Sequence, residues 1–437
     1  MQCYSLMRKK SLNFITLGCS KNLVDSERVL GQLPKSRFKI SHDANGAADI
    51  VVINTCGFIN DAKQESIDTI LEYVNAKKKG LVEQVLVFGC LSQRYTEDLS
   101  KEIPEVDGWF GAGEPEALFA HLNVKPKSAC SKRFQTTPSH FAYLKISEGC
   151  DRTCSFCAIP MIRGSYRSRT IESLVEEAKT LAGNGVKELL IIAQDISYYG
   201  IDLERKQLLA PLLEQLVEVD GIEWIRLHYG YPKNFPEAAI DLMAKHPKIC
   251  KYLDIPLQHA NNQILSAMKR GHSKEEMLNL LAQLRQKVPN IALRTTMLVG
   301  FPGETQKEFD ELLQFVKDTR IDRLGVFTYS EEEGTQAATL TDGVSENEKQ
   351  RRADMLMEVQ QEISLEINQQ KIGKVFKVII DRQEGNHFVG RTEYDSPEVD
   401  NEVIVEDHPN ITIGNFVQVK ITSASEFELF GKVVESH

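Results

Sequence analysis

The sequence predicts an α/β protein with three parts: an N-terminal parallel α/β sheet domain, an open partial (βα)6 barrel and a C-terminal small antiparallel β-barrel. Strand-like apolar runs alternate with helical patterns through most of the chain, which indicates parallel sheets with right-handed crossovers. The strand-then-helix unit repeats six times in residues 141–370, whereas a closed barrel of this kind has eight repeats. After residue 370, five short alternating runs are separated by Gly, Asn and Asp turns, which is typical of a small antiparallel barrel.

These patterns divide the chain into an N-terminal domain (11–122), a linker (123–140), a barrel (141–370) and a C-terminal domain (371–437). The linker is rich in Lys, Ser, Thr and Pro and lacks apolar periodicity, as an interdomain connection does. Strands are predicted at 12–18, 49–55 and 84–89, and then at 141–146, 188–193, 223–228, 252–256, 291–299 and 323–329. Ligands of such folds bind at the carboxyl ends of the strands.

The composition excludes several classes of protein. Of the 437 residues, 42% are hydrophobic and 26% are charged, and no apolar run approaches the ~20 residues that span a membrane. The basic N-terminus lacks the apolar core of a secretion signal, and nine cysteines in so long a chain do not form a disulfide framework. We therefore expect a cytoplasmic, reducing location and no membrane partner. The net charge of −10 argues against a general nucleic-acid binder.

Three cysteines, Cys150, Cys154 and Cys157, lie within eight residues on the loop after the first barrel strand. Cysteine thiolates are the usual ligands of four-iron clusters, so three of them leave one iron open to bind a small molecule. The alternatives are a zinc knuckle or three structural cysteines, although zinc ligands usually come as separated pairs. The loop therefore predicts a catalytic iron–sulfur centre.

Three more cysteines, Cys19, Cys56 and Cys90, each follow one of the three N-terminal strands. The carboxyl ends of parallel strands meet at one edge of a sheet, so we expect these thiols to converge there. The alternative is a set of buried core thiols, since cysteine is often buried. The remaining cysteines, Cys3, Cys130 and Cys250, are interpreted as incidental or core thiols.

The loop at 150–157, with the following residues 158–164, resembles the signature of the radical S-adenosylmethionine (SAM) enzymes. In that family the open iron binds the amino and carboxylate groups of SAM, and one electron from the reduced cluster splits SAM into methionine and a 5′-deoxyadenosyl radical. The resemblance implies SAM contacts from side chains in the loop and at strand ends. The candidates are Phe156, Gln194, Asp195, Gln258 and Arg294. A structural hydrogen bond is the alternative for any single one of them, and His259 is interpreted as a structural histidine.

The whole chain resembles the methylthiotransferases, which join a three-cysteine domain, a radical SAM barrel and a C-terminal TRAM barrel. The resemblance implies two [4Fe-4S] clusters: an auxiliary one on Cys19, Cys56 and Cys90, and a radical SAM one on Cys150, Cys154 and Cys157. It implies no catalytic residue beyond these ligands. The stretches 16–27, 252–260 and 332–335 are similar to the branch that modifies ribosomal protein S-twelve, whereas residues 160–163 depart from that pattern.

The resemblance implies an enzyme that adds a methylthio group to the β-carbon of an aspartate in ribosomal protein S-twelve, with an electron donor such as flavodoxin or ferredoxin. One alternative is methylthiolation of a tRNA adenosine beside the anticodon, which would use the same cysteines. Another is a non-catalytic iron–sulfur scaffold, but two sites with an open iron argue against an electron carrier. Arg163, Arg167 and Arg169 are predicted to form a basic patch that faces an acidic substrate group; the alternatives are a solvated loop or local ion pairs.

The acidity of the C-terminal domain favours the protein substrate. From residue 371 onward there are seven basic and twelve acidic residues, a net charge of −5. We expect the acids between its second and fourth strands to form a surface patch that steers a basic protein and repels tRNA; the alternative is a solvated loop. These acids are Glu393, Asp395, Glu398, Asp400, Glu402, Glu406 and Asp407.

Overall fold

The computed structural model describes residues 8–126, 133–406, 409 and 411–434. Cys3, Cys130 and Asp407, named above, lie outside the described residues. The chain forms two compact units: a first unit of Met1–Thr136, Glu148–Asp151 and Ala158–Tyr166, and a second unit of Thr137–Ser147, Arg152–Cys157 and Arg167–His437. The predicted barrel and C-terminal domain thus share one unit, and the exact domain limits 11–122, 141–370 and 371–437 stay predictions. No helix in the described part of the chain is long and apolar enough to cross a membrane.

The first unit contains a five-stranded, fully parallel sheet in the order β2-β1-β3-β4-β5. Its strands are β1 (Lys10–Thr16), β2 (Phe38–His42), β3 (Ile50–Thr55), β4 (Gln84–Gly89) and β5 (Gly108–Gly111), and its helices are α1 (Ser20–Gln32), α2 (Asn60–Lys78), α3 (Cys90–Glu102), α4 (Pro115–His121) and α5 (Ile159–Arg163). The parallel sheet is confirmed. The sequence missed β2 and β5, which are short strands at the two edges and therefore lack the continuous apolar run of a buried strand.

Alternate residues of the central strands build two cores, one on each face of this sheet. Phe14, Val52 and Phe88 pack in one apolar cluster, whereas Ile53 and Val87 pack in the other. Successive strand side chains point to opposite faces, so both faces must be apolar. Each such fully buried side chain stabilises the fold by roughly 1.5–3 kcal/mol. The sheet is therefore a rigid base for the loops at its carboxyl edge.

The second unit contains a six-stranded parallel sheet in the order β13-β12-β11-β10-β9-β6, which confirms the open (βα)6 barrel. Its strands are β6 (Phe141–Lys145), β9 (Glu188–Ile192), β10 (Trp224–Leu227), β11 (Ile249–Asp254), β12 (Ala292–Val299) and β13 (Arg323–Thr328). Two-residue strands, β7 (Ser147–Glu148) and β8 (Arg167–Ser168), flank the cysteine loop in sequence. The helices are α6 (Ile171–Gly183), α7 (Ile201–Glu204), α8 (Leu209–Leu216), α9 (Glu237–Lys245), α10 (Asn262–Ala267), α11 (Lys274–Lys287), α12 (Gln306–Thr319) and α13 (Glu346–Gln369).

The C-terminal strands close into a small barrel in the order β14-β15-β16-β18-β17. They are β14 (Val375–Glu384), β15 (His387–Thr392), β16 (Glu402–Glu406), β17 (Phe416–Ala424) and β18 (Glu428–Val433). All pairs are antiparallel except β16 with β18. The predicted small barrel is confirmed at all five strands, because their alternating apolar residues fill one common core.

The segment between β15 and β16 contradicts the predicted acidic surface patch. Asp395 is fully buried and accepts hydrogen bonds from Arg323 of β13 at 2.6 and 3.0 Å. The buried carboxylate of Asp400 accepts from the Tyr252 hydroxyl at 2.8 Å and pairs with Arg294 at 3.2 Å. Charges leave water only when they are paired. These two acids therefore dock the C-terminal barrel onto the (βα)6 barrel and are not available to a substrate.

The docking surface between the two barrels, formed around Asp395 and Asp400, also includes Glu188, a fully buried carboxylate at the start of β9. It pairs with Arg226 of β10 at 2.7 Å and with Arg391 of β15 at 2.8 Å. Arg391 also pairs with Asp381 of β14 at 2.6 Å. Although burial by itself raises the pKa of Glu188, the two guanidinium groups outweigh it and lower that pKa below its ordinary value. The interface between the two barrels is therefore ionic and dehydrated.

Candidate functional site

The three N-terminal cysteines lie at the carboxyl edge of the first unit's sheet. Cys19 precedes the first turn of α1, Cys56 directly follows β3, and Cys90 is the first residue of α3, directly after β4. Their strands β1, β3 and β4 are neighbours in the sheet. The expectation that the strands bring these cysteines to one edge is therefore met, while their role as cluster ligands stays a proposal.

Asn22 and Gly18 allow the loops of Cys19 and Cys56 to lie close together. The buried Asn22 amide donates to the carbonyl of Leu17 at 3.0 Å and to that of Thr55 at 3.1 Å. Gly18 has a φ of +88°, and a Cβ there would lie 2.7 Å from the Cβ of Cys56. A side chain is therefore excluded at Gly18 by both backbone conformation and space.

Replacing Gly18 with Ala is expected to displace Cys56 and to lower the iron that the first unit retains after reconstitution. The measurement is iron per protein in a background with Cys150, Cys154 and Cys157 changed to Ala.

The control for that substitution is Gly80→Ala. Gly80 also has a positive φ, +74°, but a Cβ there meets nothing within 4 Å. Gly80→Ala should lower stability by about 1–2 kcal/mol, the cost of a left-handed backbone conformation for a residue with a Cβ, and should leave the iron content unchanged. Equal iron in the Gly18 and Gly80 variants would contradict the proposed cluster site.

The chemistry of these thiols fits a metal cluster. All seven described cysteines are free thiols. Burial raises the pKa of Cys56 to about 12 and also raises the pKa of Cys90, so a metal must displace their protons on binding. Within the described residues, no three His, Cys, Asp or Glu side chains meet closely enough for one metal ion. Ligands of a cubane cluster, which each bind a different iron, do not need to meet at one point.

Arg163, the last residue of α5, lies beside Cys90 in the first unit. Its guanidinium donates to the Cys90 sulfur at 3.1 Å and pairs with Asp25 of α1 at 2.6 Å. The predicted basic patch was wrong for Arg163, which is buried, and for Arg169, which pairs with Glu177 at 2.6 Å. Only Arg167 of the three is exposed. Local ion pairs, one of the alternative interpretations, account for Arg163 and Arg169.

The second cysteine loop, which is residues 150–157, is held by hydrogen bonds near both of its ends. In the first unit, the backbone N–H of Cys150 donates to the carbonyl of Gly164 at 3.1 Å. In the second unit, Ser155 donates to the carbonyls at the end of α10, with its N–H to Met268 at 3.0 Å and its hydroxyl to Ala267 at 2.8 Å. Cys154 and Cys157 are partly exposed. The loop is therefore anchored by two backbone N–H groups and by the Ser155 hydroxyl.

Three family models match this chain. They are the uncharacterized protein family UPF0004 at residues 11–111, the radical SAM superfamily at 144–316 and the TRAM domain at 372–434. Curated relatives match almost the whole chain. The ribosomal protein uS12 methylthiotransferases RimO of Christiangramia forsetii and Flavobacterium johnsoniae are both 53% identical over 98% of this chain, and they are covered to 95% and 98%. That of Bacteroides fragilis is 50% identical over 98% of this chain and is covered completely.

The chain belongs to the RimO methylthiotransferase family. Two solved structures share its fold at low identity. TsrM from Kitasatospora setae, a radical SAM methyltransferase, has 14% identity and a TM-score of 0.55 over 74% of this chain and 75% of that one. OxsB, a cobalamin-dependent SAM radical enzyme, has 13% identity and a TM-score of 0.51 over 81% of this chain and 56% of that one. Membership of the RimO family means that the enzyme is a radical SAM methylthiotransferase that uses [4Fe-4S] clusters and SAM.

Four of the five predicted SAM contacts in this RimO relative lie on segments that follow barrel strands, whereas Arg294 lies within β12. Gln194 follows β9, and Gln258 follows β11 with a φ of +73° and an N–H that donates to the Thr296 carbonyl at 2.8 Å. Phe156 packs against an apolar cluster beside the loop. Asp195 is buried and pairs with Arg152 at 2.8 Å. Asp195 therefore orients a loop residue, and its direct contact with SAM stays a prediction.

Arg294 is committed to other partners. Its guanidinium pairs with Asp254 at 3.4 Å and with Asp400 of the C-terminal barrel at 3.2 Å. These two carboxylates raise its pKa despite burial. The geometry gives Arg294 a docking role, and its contact with SAM stays a prediction.

Sequence reasoning missed Arg270, which follows α10 and contacts Cys154 of the loop at 150–157. It donates to the Cys154 sulfur at 3.3 Å and to the Pro256 carbonyl at 2.6 Å. Its guanidinium also lies 4.4 Å from the centre of the Tyr231 ring, within the range of a cation–π contact. In the sequence it is one of two basic residues at the end of a helical pattern, which gives no signal of a contact with sulfur.

Proposed function

We propose that this protein adds a methylthio group to the β-carbon of an aspartate in ribosomal protein uS12. The observation that carries the proposal is identity of 50–53% over 98% of the chain to curated uS12 methylthiotransferases. The two sets of three free cysteines support it, because the reaction needs one centre to activate SAM and another to deliver sulfur. The location of the enzyme is the cytoplasm, and flavodoxin or ferredoxin is the class of electron donor.

In this proposal Cys150, Cys154 and Cys157 hold the radical SAM cluster, and Cys19, Cys56 and Cys90 hold the auxiliary one. A reduced cluster in the first of these sites supplies the electron that cleaves SAM. The carboxyl edge of each sheet presents the thiols, while Asn22 and Ser155 fix the loops that carry them. Phe156, Gln194 and Gln258 line the approach to the second cysteine loop as the SAM contacts, and Asp195 orients Arg152 beside them.

The first alternative substrate is an adenosine of tRNA. The C-terminal domain has a net charge of −5 from residue 371 onward, and a phosphate backbone needs a basic surface. Burial of Asp395 and Asp400 removes them from any steering patch, so recruitment of uS12 by the C-terminal barrel rests on exposed acids such as Glu398 and Glu406. A basic protein remains the better match in charge.

The proposal is tested by mass spectrometry of uS12 from cells that contain the protein and from cells that lack it. A uS12 aspartyl peptide should carry the mass of a methylthio group only in the presence of the protein. Nucleosides from tRNA of the same cells are the matched control and should not differ.

Two results would replace this function. Loss of a methylthioadenosine from tRNA with unchanged uS12 would assign the tRNA reaction. A purified protein that binds iron and yet cleaves no SAM after reduction would instead indicate an iron–sulfur scaffold.

A further inference from the structure

Each cysteine triplet has one buried arginine that donates to one of its sulfurs. Arg163 donates to Cys90 at 3.1 Å, and Arg270 donates to Cys154 at 3.3 Å. Only 7% of Arg163 and 5% of Arg270 is exposed. Burying a guanidinium is costly unless it is paired, so the partners of each arginine determine how it is held at the sulfur.

Both packing and polar contacts fix the position of Arg163. Ala158 and Ile162 of the α5 region pack with Cys90 and Ala112 in one small apolar cluster, which fixes the helix beside the thiol. At the other end, the guanidinium pairs with Asp25 at 2.6 Å and donates to the Asn22 side-chain oxygen. The same Asn22 ties the loops of Cys19 and Cys56. Arg163 therefore belongs to the framework of the auxiliary site.

Arg270 is held differently, by neutral groups. Its second nitrogen donates to the Pro256 carbonyl at 2.6 Å, and its backbone carbonyl accepts from the Tyr231 hydroxyl. The Tyr231 ring covers the guanidinium at 4.4 Å. Arg163, in contrast, faces the carboxylates of Asp25 and Glu148, the latter at 3.5 Å. The positive charge beside Cys154 is therefore less compensated than the one beside Cys90.

We propose that Arg163 and Arg270 are positioning residues that set the reduction potentials of the two clusters separately. The inference rests on the proposed function, because it requires a cluster at each cysteine triplet. Hydrogen bonds to the ligand sulfurs and nearby charge tune the potential of an iron–sulfur cluster. Reduction adds negative charge, so a cationic donor at the sulfur stabilises the reduced form and raises the potential. Because Arg270 is less compensated, its contribution exceeds that of Arg163.

The test is a potentiometric titration of the reconstituted full chain, followed by electron paramagnetic resonance. The auxiliary cluster is read alone in a background with Cys150, Cys154 and Cys157 changed to Ala, and the radical SAM cluster alone in the corresponding background for Cys19, Cys56 and Cys90. Arg163→Met should shift the midpoint of the auxiliary cluster to a more negative potential and leave the other cluster unchanged. Arg270→Met should do the reverse, with a larger negative shift, and the lysine variants should restore part of each shift.

Arg169→Met is the matched control. It removes the same charge from the same stretch of chain, but Arg169 pairs with Glu177 and the carbonyl of Lys145. Both midpoints should remain at their wild-type values in this variant. Iron content is measured in every sample, so that a change in potential is separated from a change in occupancy.

Unchanged midpoints at full iron occupancy in both methionine variants would overturn the inference. If a methionine variant loses its cluster, the comparison moves to Arg163→Gln or Arg270→Gln against the lysine variant, since glutamine keeps a donor but not the charge. Equal potentials in that pair would equally overturn the role of charge. A triple-cysteine background that binds no iron even with both arginines intact would also overturn the inference, because the remaining triplet would then hold no cluster. Failure of the proposed function is read in other measurements, which are the mass of the uS12 peptide and the cleavage of SAM.

Discussion

Replacing Cys150, Cys154 and Cys157 together with Ala is expected to abolish reductive cleavage of SAM and to leave about half of the wild-type iron, since one of two four-iron sites is lost. Replacing Cys19, Cys56 and Cys90 should also leave about half of the iron, but SAM cleavage should persist while transfer of the methylthio group stops. The reason is that, in the proposed function, each triplet holds its own cluster. Iron analysis and assays of 5′-deoxyadenosine and of modified uS12 measure the three quantities.

Cys250→Ala is the control for both triple variants. Cys250 is a buried free thiol on β11, where burial raises its pKa to about 12. It should change neither iron nor activity, in agreement with its interpretation as a core thiol. Full methylthiolation by a folded variant without the N-terminal triplet would contradict the division of roles, as would wild-type iron in either triple variant.

Asp395→Leu is expected to destabilise the second unit by about 3–5 kcal/mol, the usual cost of leaving one member of a buried ion pair alone. The buried partner Arg323 would lose this counter-ion and keep its charge, and the Thr392 hydroxyl would lose its acceptor at 2.7 Å. Arg323→Met together with Asp395→Leu should recover most of the loss, because both charges leave the interior. Urea unfolding of the full chain, followed by circular dichroism, measures the difference.

The matched control is Glu406→Leu, which removes an acid of the same domain. Glu406 is exposed and pairs with Lys432 at 3.1 Å, so its loss should cost no more than about 1 kcal/mol. If Asp395→Leu cost as little as Glu406→Leu, the docking role of Asp395 would be wrong and a surface role would regain support. Charge reversal at Asp395 or Asp400 would, for the same reason, report on stability before it reports on substrate capture.

The (βα)6 barrel was predictable from the sequence because the patterns that indicate its strands and helices are local and repeated. The sequence predicts helices at 274–287 and 306–319, which are the limits of α11 and α12. Both helices begin with a capping box, Ser273 with Glu276 and Thr305 with Glu308. Such a box fixes the first turn from within four residues of sequence. The N-terminal sheet was less visible, because its edge strand β5 has only four residues and starts with Gly. Edge strands lack the continuous apolar run that indicates a buried strand.

The site was predictable to the extent that strand ends determine it. Each of the six ligand candidates follows a strand, so parallel topology alone places them at sheet edges. The arginines were not predictable, because Arg163 lies 73 residues from Cys90 and Arg270 lies 116 residues from Cys154. The prediction that the acids of the C-terminal domain form a surface patch failed for a related reason. A count of charges does not distinguish a solvated carboxylate from one that pairs with a distant arginine.

The ionic docking surface between the two barrels bears on how this enzyme can be re-engineered. A chimera that received its C-terminal barrel from another protein would bury Arg294, Arg323 and Glu188 against whatever side chains the donor supplied. Unless the donor carried matching partners, each of these three charges would lose the counter-ion that the native C-terminal barrel supplies, whereas Arg226 would keep its pair with Glu188. The second unit is therefore best transferred as a whole, and a graft of the small barrel alone should be designed together with the three charged residues that receive it.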